Sequence, residues 1–284
     1  MNSGVRRQLR VAIGAVAALL LWTAAMHAQQ IWAGGYGNFT PPKYPTKDTF
    51  TGSFTFCRAL FGSNRREKSG WRTDYPGADI NFSIRLSELT KADVKIDRGG
   101  PEGDEPDPVV VRLTDDALFQ CPFILMEDAG TMHLRDDEVE RLREYLLKGG
   151  FILSSDYHGT WAKQQFDDEM GRVLPHGEFP IVDMAPPDHP MWNMLFPVKQ
   201  LAQMASIQTW RRTGGTIERW NDDRGPATAR GIGDRKGRIV VLMLHDTDVP
   251  DGWEREGEDP EYFFRFSPDA YSVGIDAVLY AMTH

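Results

Sequence analysis

The stretch "PFILMEDAGTMHLRDDEVERLREYLLKGGFILSS", residues Pro122 to Ser155, decides the fold. "PFILM" and "FILSS" have the length and flanks of buried strands. Between them Leu134, Val139, Leu142, Leu146 and Leu147 recur at helical spacing. Asp136, Asp137 and Glu138 fill the first turn, where the helix dipole favours anions, and Gly149–Gly150 closes the last. This is a βαβ unit, whose two strands must run parallel through a right-handed crossover. The spacing predicts strands at 122–126 and 151–155 and a helix at 135–148.

The same alternation continues outward. "SFTFCRAL" reads as a strand near 53–58, and "DINFSIRLSELT" as an amphipathic helix at 79–90 with Asp79 as its N-cap. "DVKID" is a short strand, and "VVVRL" a strand at 109–113 before a helical turn begun by "TDDALF". Later come a helix at 161–173, the strand "RIVVLML" at 239–244 and a C-terminal helix at 268–282. Strands alternating with helices predict an α/β fold: an open, mainly parallel sheet with helices on both faces. Residues 175–235 break the pattern and read as a small β-rich insert.

The first 28 residues form a separate object. Arg6, Arg7 and Arg10 precede the apolar run Val11–Trp22, and small residues end at Ala25 and Ala28. We read 1–28 as a signal peptide, with an uncleaved N-terminal membrane anchor as the alternative. The run is short of the roughly 20 residues a spanning helix needs, and no later stretch is long enough to cross a membrane. Residues 29–51, rich in Gly, Pro and aromatics, read as an extended arm or linker, and 52–284 as a single α/β domain. The expected location is periplasmic or extracellular.

The chain carries 32 basic and 41 acidic residues. Removing the first 28 takes away three Arg and no acid, leaving 29 against 41, net −12. That balance argues against nucleic acid as a partner. Cys57 and Cys121 each adjoin an apolar run and read as two small buried residues, with a disulfide, which export permits, as the alternative.

In an open parallel sheet, ligands bind beyond the carboxyl ends of the strands. Glu127, Asp128, Gly130 and His133 follow "PFILM"; Asp156, Tyr157 and His158 follow "FILSS"; His245, Asp246 and Asp248 follow "RIVVLML". Arg58 and the loop "GSNRREKSGW" follow the first strand. Asp156 and His158 are the candidate catalytic pair, the imidazole taking a proton and the carboxylate orienting it. Arg58, Asp128, His133, Tyr157, His189, His245, Asp246 and Asp248 are candidate ligand contacts, His189 through the rigid turn "PPDHPMW". Histidines and carboxylates together also suit a metal, and strand ends that merely face water are the third reading. The sequence names no cofactor.

Motif searches exclude several chemistries. There is no G-x-S-x-G, P-loop, H-E-x-x-H or C-x-x-C. "DTDVPDGWE", Asp246 to Glu254, departs from a calcium loop: Asp251 and Gly252 fall one place late and Pro250 intrudes. Trp71, Trp161, Trp192 and Trp253 could stack on a glycan or fill a core.

From about Gly52 onward the chain resembles a bacterial family, domain of unknown function 4159. The resemblance lies in "FTFCRAL", "RLTDDALFQCPFILMEDAG", "LRDDEVERLREYLLKGGFILSSD", "DHPMWNMLF", "DTDVPDGWE" and "YSVGIDAVLYAMT". It implies a class I glutamine amidotransferase-like, flavodoxin-like scaffold. That fold places a nucleophilic Cys on a G-x-C-x-G elbow, which this chain lacks; Ser155, Asp156 and His158 stand after "FILSS" instead. The leading functional reading is an exported ligand- or glycan-binding module without the amidotransferase nucleophile. The alternatives are a hydrolase or metal-dependent enzyme using the strand-end Asp/His cluster, and a non-catalytic scaffold for protein partners.

Overall fold

A computed structural model describes residues 40–63, 70–100, 103–218, 223 and 225–284. The segment read as a signal peptide, the start of the arm, and residues 64–69 of the polar loop lie outside the described residues. The chain divides into Met1–Pro41 and Pro42–His284, and the fold is that of the second unit.

Its centre is a seven-stranded sheet. In chain order the elements are β1 (Cys57–Leu60), β2 (Gly62–Ser63), α1 (Gly77–Leu89), β3 (Ile96–Gly100), β4 (Gly103–Pro106), β5 (Val109–Arg112), β6 (Ile124–Met126) and β7 (Met132–His133). Then come α2 (Asp136–Leu147), β8 (Ile152–Ser154), α3 (Gly159–Val173), β9 (Ile181–Asp183), α4 (Ile207–Thr213), β10 (Thr228–Gly233), β11 (Ile239–His245), α5 (Asp251–Glu254) and α6 (Pro260–Thr283). Strand order is β5-β1-β6-β8-β11-β10-β9. The first five strands are parallel, with Leu125 opposite Leu153 and Leu153 opposite Leu242. Two-stranded ribbons β2–β7 and β3–β4 lie outside this sheet.

Central parallel strands are covered on both faces, so they read as continuous apolar runs. Successive side chains then serve opposite cores. Phe123, Leu125, Leu153, Leu242 and Leu244 pack with Phe82 and Leu86 of α1 and Phe266, Ala270 and Val273 of α6. Ile124, Met126, Ile152, Val241 and Met243 pack with Leu142 and Tyr145 of α2 and Phe166 and Met170 of α3. The helix stripe read from sequence is buried except at Leu147, which is exposed; Tyr145 takes the inward position and bonds Cys121 O through its hydroxyl.

Several expectations need correction. Asp79 is not the N-cap of α1: Pro76 occupies that position, and Asp79 is buried in the first turn against Arg58. The C-terminal helix begins eight residues before Pro268. Asp259 caps it, accepting from Glu261 N and Tyr262 N, Pro260 suits its first turn, and burial of Tyr262 and Phe266 offsets the hydrogen bond lost at Pro268. Residues 175–235 form no separate insert; β10 pairs antiparallel with β11, and β9 with β10, extending the same sheet. Cys57 and Cys121 are not free thiols: they form a disulfide, Cα–Cα 6.1 Å, across a sequence separation of 64. No helix among the described residues is long and apolar enough to cross a membrane.

A candidate acidic centre at the carboxyl edge of the sheet

β6, β8 and β11 are neighbours and end at one edge. Beyond each, within two residues, the chain turns through an aspartate in the left-handed region: Asp128 (φ 46°), Asp156 (φ 54°) and Asp246 (φ 57°). A fourth, Asp74 (φ 59°), lies in the loop before α1. Non-glycine residues held there cost on the order of 1–3 kcal/mol each and concentrate where geometry serves function.

The β8 and β11 loops are tied together. Asp156 N donates to Thr247 O at 3.2 Å, and Asp246 N to Tyr157 O at 3.0 Å. Ser155 is fully buried; its hydroxyl donates to Thr247 O and accepts from Val249 N, so it is a loop tie and not a nucleophile. Asp246 accepts from Gly159 N at 2.9 Å and Gly225 N at 3.2 Å. Asp223 accepts from Thr160 N. Carboxylates from elsewhere thus satisfy the first backbone donors of α3, which the helix cannot satisfy itself.

His158, the residue before α3, has its side chain only 12% exposed. Its Nε2 stands 3.3 Å from Asp156 Oδ1 and its Nδ1 3.9 Å from Asp246 Oδ1. His245 lies on the other side of Asp246, at 3.4 Å, its Nε2 against Gly159 O. Burial holds the His245 pKa below the usual imidazole value.

Next to this pair lies a nest of carboxylates. Oxygens of Asp74, Glu127 and Asp248 all fall within 4.8 Å of one another, as do oxygens of Asp74, Asp251 and Glu254. Glu127 is fully buried and ion-paired through Oε2 to Arg58, while its Oε1 meets no N–H donor and the carboxyl's remaining side-chain partner is the Asp74 carboxyl. Asp248 accepts from Asp251 N at 3.1 Å. Asp251 accepts from Ile207 N and the Tyr262 hydroxyl, and Arg255 pairs with Asp251, Glu254 and Glu258. Burial first, then the neighbouring Asp156 and Asp74 charges, pushes the Asp248 carboxyl well up. Burial, with Asp74 adding to it, pushes Asp251 up to about 8 and Glu254 up to about 10.

These shifts carry a stability prediction. An unfolded chain releases such protons near pH 4, whereas the folded chain holds them to higher pH. The raised groups therefore contribute stability that is complete below about pH 4 and lost as pH rises through about 8 and 10. With chelator present, the melting temperature is expected to be lower at about pH 9 than at about pH 6; a flat or rising trend counts against a protonated nest.

The sequence candidates divide. Asp156, His158, His245 and Asp246 are close together, and Asp248 stands in the adjoining nest. Asp128 accepts from Gly70 N and so holds the start of the loop that carries Asp74. Arg58 does not reach ligand space: it is completely buried as the counterion of Asp79 and Glu127. Tyr157 is a core residue against Phe166 and His245. His133 is exposed on a ribbon strand beside Glu169. His189 caps a 3-10 turn and packs on Tyr280, whose hydroxyl accepts from Ile239 N at the opposite, amino end of β11. Asp74 and Arg255 were missed, since neither directly follows a parallel strand. Asp251 and Glu254 were visible only in the rejected calcium-loop pattern.

Sheet and strand-end loops define an α/β protein with a mainly parallel sheet and an acidic, histidine-bearing carboxyl edge. The chain belongs to the family described as Domain of unknown function (DUF4159), whose model matches residues 61–282. No curated protein matches it.

Proposed function

We propose that the chain is an exported enzyme performing acid–base chemistry of the hydrolytic kind on a small ligand at this edge. The observation that carries this reading is His158, largely buried between Asp156 and Asp246. In this role the imidazole moves the proton and Asp156 orients it; Asp246, anchored by Gly159 N and Gly225 N, keeps the ring at the carboxyl edge of the sheet. Five adjacent parallel strands with helices on both faces support the amidotransferase-like scaffold. Thiolate chemistry is not part of the reading, because both cysteines are joined to each other. The same bridge supports export, since disulfides persist in oxidising compartments.

The test is turnover of chromogenic esters, phosphoesters, amides and glycosides by the wild type and by His158→Ala. Loss of a positioned acid–base group lowers rate about 10²–10⁴-fold, and a fall in that range is expected with the fold retained by circular dichroism. Unchanged turnover in the variant removes His158 from the chemistry.

A wild type inert toward all four classes favours the second reading, a ligand- or glycan-binding module. Trp161, exposed three residues after His158, and the part-buried Trp71 support it. Trp192 and Trp253 do not, being buried in the core.

A further inference from the structure

We propose that the carboxylate nest binds one divalent cation of the hard, oxygen-seeking class, held by Asp74, Glu127 and Asp248. The inference goes beyond the acid–base reading and does not depend on it.

Spacing is the first ground. Ligand oxygens about 2.0–2.6 Å from a calcium, magnesium or manganese ion stand about 3–5 Å from one another. The three carboxylates offer oxygens within 4.8 Å of one another. They come from three separate parts of the chain: the loop before α1, the end of β6 and the loop after β11.

The second ground is independent of clustering. Glu127 is 0% exposed and has given one oxygen to Arg58, yet the other meets no N–H donor, and beyond Arg58 the carboxyl's side-chain partner is the Asp74 carboxyl. Asp74 Oδ2 is likewise buried without an N–H donor, its side-chain partners being the carboxyls of Glu127 and Glu254. A buried acceptor left unpaired carries a desolvation cost, larger for a charged group. Among the described residues no N–H serves these two oxygens; Asp74 and Glu127 can bond each other only while one of them holds a proton, and a cation seated among them would replace that proton and serve both.

Charge distribution separates this position from its neighbour. The Asp251–Glu254 side already holds Arg255, which pairs with both. On the Asp74–Glu127–Asp248 side the guanidinium that forms an ion pair is Arg58, at Glu127, and it is shared with Asp79 through three contacts. Asp156, at the end of the neighbouring β8, adds a further carboxylate close to Asp74 and Glu127. The donor set is entirely carboxylate, without sulfur or imidazole, and this selects calcium, magnesium or manganese over zinc or copper. Such an ion would sit beside Asp156, where it would hold an oxyanion of a bound ligand.

Titration calorimetry of chelator-treated, full-length protein with CaCl2, MgCl2, MnCl2 and ZnCl2 tests the proposal. One hard cation per chain is expected, with zinc weaker than the best of the other three. Asp248→Asn keeps the acceptor for Asp251 N, and Asp74→Asn keeps the volume of a part-exposed side chain; each is expected to weaken binding at least tenfold. Asp183→Asn, at the far edge strand, is expected to leave it unchanged. Absence of binding by folded wild type overturns the proposal and leaves a nest filled by protons alone. Binding that survives both Asp74→Asn and Asp248→Asn undiminished also overturns it, because the ion then sits elsewhere.

Discussion

Arg58→Met is expected to lower stability by about 3–5 kcal/mol, the range for breaking a buried ion pair from one side. Every nitrogen of this guanidinium has a partner. Nε lies 3.1 and 3.0 Å from the two Asp79 oxygens, and Nη2 reaches Asp79 Oδ1 at 2.5 Å. Nη1 serves Trp71 O at 3.2 Å, Thr73 O at 2.8 Å and Glu127. Methionine fills similar volume but strands two carboxylates that are 0% exposed, in a region already rich in negative charge. For a domain this size 1 kcal/mol moves the melting temperature about 2–4 °C, so a fall of roughly 6–20 °C is expected by calorimetry. Adding Asp79→Leu removes one stranded charge and is expected to recover part of the loss. A change below about 1 kcal/mol would show that the carboxyls simply protonate without consequence. The same variant loosens the loop that presents Asp74, because Trp71 O and Thr73 O lose their donor.

Reduction of the Cys57–Cys121 bridge is expected to cost about 4 kcal/mol. The chain-entropy estimate is about 3 kcal/mol for a 15-residue loop and about 4.7 for 100 residues, and this bridge spans 64. The effect acts chiefly on the unfolded chain. β1, which carries Cys57, is already paired with β6, which begins just beyond Cys121, so the folded state keeps that contact without the bridge. Thermal unfolding with and without a phosphine reductant measures it, with the Cys57→Ala/Cys121→Ala pair as control. A midpoint insensitive to both means that the two segments stay close in the unfolded chain as well.

Local periodicity and end signals were enough for the parallel strands and for the helix between β6 and β8. An apolar run bounded by Gly or Pro reports burial within a few residues, and an amphipathic stripe reports its own face. The same rules misplace the start of α6, because Pro268 resembles a helix start while the true one at Asp259–Pro260 depends on Tyr262 and Phe266 finding a core. They miss the continuation of the sheet into β10 and β9, where Gly231 and Gly233 weaken the strand pattern.

The sequence by itself determined the α/β alternation, the parallel core strands and the gathering of Asp156, His158, His245 and Asp246 at one edge. Each of these follows from residues adjacent in the chain, because a strand end delivers the next few side chains to a known place. Only the tertiary structure decided that Arg58 faces inward, that Cys57 meets Cys121, that His133 and His189 stand apart from the Asp156–His158–Asp246 group, and that Asp74 joins Glu127 and Asp248. Those outcomes depend on which distant segments share a space, and a side chain's charge or polarity is the same in the sequence whether its partner is water, a buried counterion or another carboxylate. The meeting of Asp74 with Glu127, 53 positions apart, is set by the loop that Arg58 and Asp128 hold in place, and no local pattern encodes that distance.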